Sequence, residues 1–100
     1  MIEVRRTDVF SRWIDRLRDD QAFARIVTRI NRLSLGNFGD VKSVGDGVSE
    51  MRIDYGPGYR VYFTRIGSVV VLLLIGGTKK TQPKDIERAK ALAKEIDNAS

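Results

Sequence analysis

Four polar side chains with complementary chemistry fall on one face of a predicted β-hairpin in the middle of the chain. Residues Val48 to Tyr55 alternate between two faces, which is the period of a strand with one buried side. The alternation resumes in Tyr59 to Phe63 after a turn. Antiparallel pairing of these strands gathers a carboxylate, two guanidinium groups and a phenol on one face, contributed by Glu50, Arg52, Arg60 and Tyr62.

These four groups on a rigid sheet form a site for a phosphate. Each guanidinium offers a planar fork of N–H donors and stays charged at any relevant pH, which makes arginine a good stabiliser of anions and a poor proton carrier. The plainer interpretation is a solvated sheet face with ordinary cross-strand charge pairs. The residue pattern alone favours neither interpretation over the other.

The turn that joins the two strands is predicted from Gly56-Pro57-Gly58. Pro57 has its φ preset for the second position of a type II turn, and Gly58 tolerates the positive φ of the third position. The strand residues Met51 and Ile53 mark the face that is directed to the core.

The charge of the chain favours an anionic partner. Lys and Arg number 18 against 13 Asp and Glu, which gives a formal net charge of +5 and a pI near 9.9. Between Met51 and Thr81 the single acidic residue is Asp54. The predicted sheet half is therefore the electropositive half, and its basic residues are Arg52, Arg60, Arg65, Lys79 and Lys80.

Composition also limits the class of protein. Cysteine and histidine are both absent, which excludes disulfides and thiolate metal sites and removes the commonest zinc ligand, so we expect no metal and no other cofactor. The longest apolar run, Val69 to Ile75, is far shorter than the roughly 20 residues of a membrane-spanning helix, and the N-terminus has no signal-peptide core. We expect one cytoplasmic domain over residues 1–100, with no membrane contact.

Two amphipathic helices are predicted ahead of the hairpin. Thr7 or Asp8 caps the first, and Asp19 and Asp20 begin the second, which ends at Gly36. Their apolar residues recur at helical spacing and are predicted core, namely Phe10, Trp13, Ile14 and Leu17, then Phe23, Ile26, Val27, Ile30 and Leu33. We expect an antiparallel helix pair. The opposite face of the second helix carries a basic ridge, either solvated surface or a binding strip, formed by Arg25, Arg29 and Arg32.

The remaining segments complete an α+β pattern, with helices before the sheet and a last helix after it. Ile2 to Arg5 predicts an opening edge strand, and Val41 to Val44 predicts either a brief strand or an ordered loop. Val69 to Ile75 is apolar on both faces, which predicts a central strand covered on both sides and ended by Gly76-Gly77. Pro83 then begins the last helix, with Thr81 or Gln82 as its cap.

Several runs of the sequence together resemble the addiction-module killer proteins, HigB-like toxins of the RelE/ParE superfamily in type II toxin–antitoxin systems. The runs are Gly36-Asn37-Phe38-Gly39-Asp40-Val41-Lys42, Gly47-Val48-Ser49-Glu50-Met51-Arg52-Ile53, Gly58-Tyr59-Arg60-Val61-Tyr62-Phe63, Gly76-Gly77-Thr78-Lys79-Lys80 and Asp85-Ile86-Glu87-Arg88-Ala89. The similarity extends over nearly the whole chain, and the order and spacing of the runs are specific.

The resemblance implies a RelE-like fold, in which two N-terminal helices pack on a small, mainly antiparallel sheet with a C-terminal helix. It implies a ribosome-dependent endoribonuclease that cuts messenger RNA and that is neutralised by a cognate antitoxin, commonly of helix-turn-helix type. By position, Arg60 matches the phosphate-binding arginine of the family, Arg52 a basic residue of the preceding strand, and Lys79 or Lys80 the basic position after the last strand. Glu50 departs from relatives with lysine near that position, and the chain lacks the C-terminal histidine of many members.

Cleavage of RNA without a metal assigns roles to these residues. The 2′-OH attacks its own phosphate in line, so the site needs cations on the phosphate, a base for the hydroxyl and an acid for the leaving oxygen. Glu50 either accepts the proton or only orients Arg52, and Lys79 or Lys80 protonates or neutralises the leaving oxygen. The candidate RNA contacts are Arg65 and Tyr62, and Tyr62 either stacks on a base or donates to a phosphate.

Two other functions are compatible with the same pattern. ParE-type members of the superfamily inhibit DNA gyrase by binding it, with no nuclease chemistry. A basic RNA-binding or ribosome-binding module without activity is the third alternative. The fold does not separate the three, because function lies in the site.

Overall fold

A five-stranded β-sheet forms the centre of the molecule and carries helices on both faces. The computed structural model describes the backbone of residues 1–99 and the side chains of residues 1–97. In chain order the elements are β1 (Glu3–Arg6), α1 (Asp8–Asp15), α2 (Asp20–Ser34), β2 (Val41–Gly45), β3 (Val48–Ile53), β4 (Tyr59–Ile66), β5 (Val70–Thr78), a 3₁₀ turn (Lys79–Thr81) and α3 (Gln82–Ala99). This order confirms the predicted α+β class.

The strands lie in the order β1-β5-β4-β3-β2. β1 pairs with β5 in parallel, and the other three neighbouring pairs are antiparallel. β1 is an edge strand as predicted, and the alternative left open for Val41 to Val44 resolves to a strand, β2, at the other edge. Within the described chain, no helix combines the length and the apolar character needed to cross a membrane.

The caps of the first two helices follow the sequence. The Thr7 side chain accepts a hydrogen bond from the Phe10 amide at 3.0 Å, and Asp19 accepts from the first turn of α2. Gly36, with φ of +92°, follows the end of α2 and adopts the left-handed conformation that stops a helix. Each helix packs mainly on the sheet rather than on the other helix, since α1 lies on β5 while α2 contacts β1 and β3.

The core has two layers, one on each face of the sheet. The larger layer lies under α1 and α2 and includes Phe10, Ile26, Leu33, Met51 and Phe63, with Trp13 partly buried against it. The smaller layer lies under α3 and includes Val48, Tyr62, Leu72, Leu74 and Ala89. The face predicted to be polar is therefore covered along most of its length, because α3 packs its apolar side there.

Two local predictions are corrected. The reversal between β3 and β4 is centred one residue earlier than predicted, since the Gly58 amide donates to the Tyr55 carbonyl and Gly56 has φ of +56°. The positive φ predicted for Gly58 is confirmed, at +78°. β5 does not stop at Gly76-Gly77 but continues through both to Thr78. Both glycines are buried within the strand, because the Trp13 ring lies against Gly76 and the Asp85 carboxylate against Gly77.

We predict that Gly76→Ala destabilises the protein by at least about 2 kcal/mol, because a Cβ there would lie 2.2 Å from the Trp13 ring. The free energy of unfolding in urea measures this. The control is the double variant with Trp13→Leu, which removes the clashing ring, so its loss should be well below the sum of the two single losses. Additive losses would show that the glycine is needed for another reason.

Candidate phosphate-binding site

A buried carboxylate lies at the centre of the four polar residues that the sequence places on one face. Glu50 on β3 is 0% exposed. Its Oε1 accepts a hydrogen bond from Arg52 Nε at 3.1 Å, and its Oε2 accepts from the Tyr62 hydroxyl at 3.0 Å and from Gln82 Nε2 at 2.8 Å. Arg52 lies two residues along the same strand, Tyr62 lies directly opposite on β4, and Gln82 is the first residue of α3. Three elements thus converge on one carboxylate.

The surroundings of Glu50 keep it ionised. Burial alone would raise the pKa of Glu50, but the hydrogen bonds from Gln82, Arg52 and Tyr62 and the charge of Arg60 together outweigh burial and lower that pKa below its ordinary value of 4.5. The same contact acts in reverse on Tyr62. Burial, together with the hydrogen bond to Glu50, raises the pKa of Tyr62. The pair therefore consists of a carboxylate and a neutral phenol at any physiological pH.

Arg60 on β4 is close to this carboxylate without forming a closed ion pair with it. Its Nε lies 3.9 Å from Glu50 Oε2, and the side chain is 12% exposed. Among the described residues, none accepts a hydrogen bond from that buried Nε. The Arg52 side chain is more open, at 34% exposure. The two arginines therefore differ, since one is bonded to Glu50 and the other is only near it.

Both arginines open onto a cleft of about 390 Å³ beside the hairpin turn. Lys79 reaches the same cleft because its backbone amide donates to the Gly58 carbonyl at 2.8 Å, which fixes the start of the 3₁₀ turn against the hairpin. The cleft is lined by Asp40, Arg52, Asp54, Gly56, Pro57, Gly58, Arg60 and Lys79. Three cations and two carboxylates in so small a space favour an anion that also offers hydroxyl donors.

The structure places the other predicted site residues away from this cleft. Lys80 follows Lys79 but is exposed outside the lining. Tyr62 is 0% exposed, so its ring presents no free face on which a base could stack. Arg65 lies five residues beyond Arg60 on β4, with its guanidinium 5.1 Å from the centre of the Phe38 ring on the opposite face of the sheet.

Sequence reasoning missed three contributors to the site. The sequence around Gln82 predicts only a helix cap, and nothing in its neighbours indicates that it reaches Glu50. Asp40 lies in the loop before β2, and Asp54 stands out in the sequence only as the isolated acid of a basic segment. The first residue of β2 pairs with Met51, so β3 continues past the start of β2. Asp40, just before β2, and Asp54, just after β3, therefore lie at the same end of the sheet.

The basic ridge of α2 is neither a purely solvated surface nor a free binding strip, because two of its arginines make contacts within the protein. Arg29 donates to the backbone carbonyl of Arg52, and its other terminal nitrogen lies 3.4 Å from the carbonyls of Phe38 and Asp40. Arg25 stacks over the Tyr55 ring at 4.7 Å. Arg29 therefore holds the loop that carries Asp40 against the exposed end of β3.

Among the residues whose structure is described, no group of three or more metal-ligating side chains is close enough to hold a metal ion. What the cleft offers is a cationic surface with preorganised donors. Such a surface can bind a phosphate and stabilise charge that develops on it.

Residues 12–99 match the family described as phage derived protein Gp49-like (DUF891). The chain is also similar to an uncharacterized protein of Haemophilus influenzae, with 52% identity over 95 residues that cover 95% of this chain and 96% of that protein. The region matched by the family includes the whole cleft and every residue bonded to Glu50.

We predict that Glu50→Gln lowers the free energy of unfolding at pH 7 by about 2 kcal/mol, because two arginines lose their carboxylate. The value is below that for a fully buried pair since Arg52 is one-third exposed. Because folding lowers the pKa of Glu50, its stabilisation is complete above about pH 4.5 and is lost as pH falls through the folded-state pKa.

Urea denaturation between about pH 7 and pH 3 tests this prediction, with the difference between wild type and Glu50→Gln shrinking on the acid side. A difference that stays constant over that range would mean that the charge of Glu50 does not contribute to stability.

Proposed function

Because this chain belongs to the Gp49-like family of phage-derived proteins, whose members are often toxins of toxin–antitoxin modules, we propose that it is a type II toxin that cleaves messenger RNA on the ribosome. The observation that carries this proposal is the cleft, which Arg60, Arg52 and Lys79 line together. A buried carboxylate behind the cleft, Glu50, lies next to both arginines. The HigB-like branch of the RelE/ParE superfamily, with its RelE-like arrangement of helices and sheet, is the finer assignment. The motifs around Arg52, Arg60 and Lys79 support it.

The proposed reaction is an in-line attack of a ribose 2′-OH on the adjacent phosphate. The new bond joins the 2′ oxygen to phosphorus, the bond to the 5′ oxygen breaks, and the products are a 2′,3′-cyclic phosphate and a 5′-OH. Negative charge grows on the non-bridging oxygens, where Arg60 and Arg52 stabilise it through N–H donors. Lys79 neutralises or protonates the departing 5′ oxygen.

In this mechanism Glu50 is a positioning residue and not the base. Burial hides it from the cleft, three hydrogen bonds occupy its oxygens, and its pKa is lowered, so it is a poor acceptor for the proton of the 2′-OH. The exposed carboxylates that line the cleft, Asp40 and Asp54, are placed to accept that proton. One proton leaves the 2′-OH and one reaches the 5′ oxygen, so the step balances without a metal.

The proposed partners follow from the same surface. The ribosome presents the messenger in the cytoplasm, and a cognate antitoxin of helix-turn-helix type blocks the cleft when the toxin is not needed. An acidic segment that binds across this small cationic cleft would block access of RNA to it. No cofactor enters the proposed reaction.

We predict that Arg60→Ala reduces ribosome-dependent cleavage of a messenger by roughly a hundredfold or more, which is the scale for loss of one preorganised donor. Arg60→Lys should recover part of the rate, because an ammonium cannot reproduce the fork. Arg52→Ala should have a smaller effect. Cleavage is measured by primer extension on purified ribosomes, and circular dichroism checks that each variant is folded.

The matched control is Arg6→Ala, which removes an exposed arginine from the edge strand on the far side of the sheet. Its rate should equal that of the wild type. In the same assay Asp40→Asn and Asp54→Asn show which carboxylate takes the proton, because loss of the base changes the pH profile. Full cleavage by a folded Arg60→Ala protein would rule out the phosphate clamp.

We further predict that expression without the partner is toxic and that protein synthesis fails first. Pulse labelling after induction should show incorporation of amino acids falling before incorporation of thymidine. Co-expression of the neighbouring reading frame should restore growth through a stoichiometric complex. If DNA synthesis falls first and purified protein inhibits gyrase supercoiling, the chain is a gyrase inhibitor instead.

A further inference from the structure

The hydrogen bonds to Glu50 are distributed unequally between its two oxygens. Oε1 accepts one, from Arg52, whereas Oε2 accepts two, from Tyr62 and Gln82. A carboxylate oxygen has two in-plane lone pairs, so Oε2 is fully occupied. Arg60 Nε approaches this same oxygen and stays 3.9 Å from it, beyond hydrogen-bond distance.

The consequence for Arg60 is unusual for a buried arginine. Its Nε makes no hydrogen bond to any described residue, although a carboxylate lies next to it. An arginine beside a carboxylate ordinarily closes onto it through two parallel N–H bonds. In a closed pair the guanidinium would turn toward Glu50, and fewer of its donors would face the cleft.

We infer that Gln82 and Tyr62 are positioning residues that occupy Glu50 Oε2, so that Arg60 Nε cannot bond to that oxygen and the guanidinium keeps its donors available for a phosphate in the cleft. The inference rests on the proposed phosphate-binding function and assigns it two residues that touch no substrate. Gln82 is the more informative of the two, because it belongs to α3 and lies outside the hairpin that holds the arginines.

Loss of either donor should therefore reduce binding through Arg60. Gln82→Met keeps the length of the side chain and removes its N–H groups, while Tyr62→Phe keeps the buried ring and removes the hydroxyl. Each frees one lone pair of Oε2, and Arg60 Nε then moves onto it. Both variants retain every charged group of the site.

The test combines two measurements on the full-length protein. The first is the ¹⁵N NMR signal of the Arg60 Nε–H group, assigned by its disappearance in Arg60→Lys. In both variants the proton should move downfield and exchange more slowly with water, as expected for a new hydrogen bond to a carboxylate. The second is the affinity for inorganic phosphate from an NMR titration, which should fall about tenfold, the lower end for one charge-assisted hydrogen bond.

Gln21→Met is the matched control, since Gln21 lies in the first turn of α2 and its side chain contacts Tyr55 instead of Glu50. It should change neither the Arg60 signal nor the affinity for phosphate. Tyr62→Phe alone carries the test if Gln82→Met does not fold.

An unchanged Arg60 signal in folded variants overturns the inference, and so does a shifted signal with unchanged affinity for phosphate. Neither result depends on RNA cleavage. A protein that binds phosphate as described but cuts no messenger would refute the proposed nuclease and leave the role of Gln82 intact.

Discussion

The structure depends on one constraint, which is that a carboxylate taken out of water must have its charge balanced and both of its oxygens hydrogen-bonded. Glu50 meets this constraint with donors from β3, β4 and α3. Hydrophobic contacts alone leave a helix some freedom to slide on a sheet, but a donor at a single oxygen does not. Gln82 therefore fixes the register of α3, and with it the covering of the second face.

The same constraint links stability to the candidate site. The groups that satisfy Glu50 either line the cleft or hold a residue that does, so the site cannot be separated from the packing of the sheet. Lys79 is carried to the cleft by the 3₁₀ turn that precedes α3. The position of this helix consequently sets two features, the cation opposite the arginines and the hydrogen bond that restrains Arg60.

Much of this arrangement could be predicted from local patterns. The alternation from Val48 to Phe63 places Glu50, Arg52, Arg60 and Tyr62 on one face because the period of a strand is set by the backbone. The alternation alone does not show that α3 covers much of this face. Val48 and Tyr62 lie on the same face, and their apolar side chains indicate that part of it is buried. Burial of Tyr62 follows from that packing.

Features set by distant residues were beyond local patterns. Two adjacent glycines ordinarily end a strand, but Gly76 and Gly77 continue β5 because Trp13, from a helix early in the chain, and Asp85, from the last helix, occupy the space of their missing side chains. The partner of Gln82 lies 32 residues away in the sequence. Periodicity reports only on residues that are close in sequence, so it does not predict any of these contacts.

The parallel pairing of β1 with β5 determines how late in synthesis the fold can form. The Thr7 hydroxyl donates to the Leu74 carbonyl across 67 residues of chain, and α1 packs mainly on β5. The strand that pairs with β1, and the main packing surface of α1, are thus missing until residues 70–78 leave the ribosome, and Lys79 and Gln82 emerge later still. This order delays the finished cleft until β5 and the residues just after it have been synthesised, because Lys79 lines the cleft and Gln82 holds Glu50.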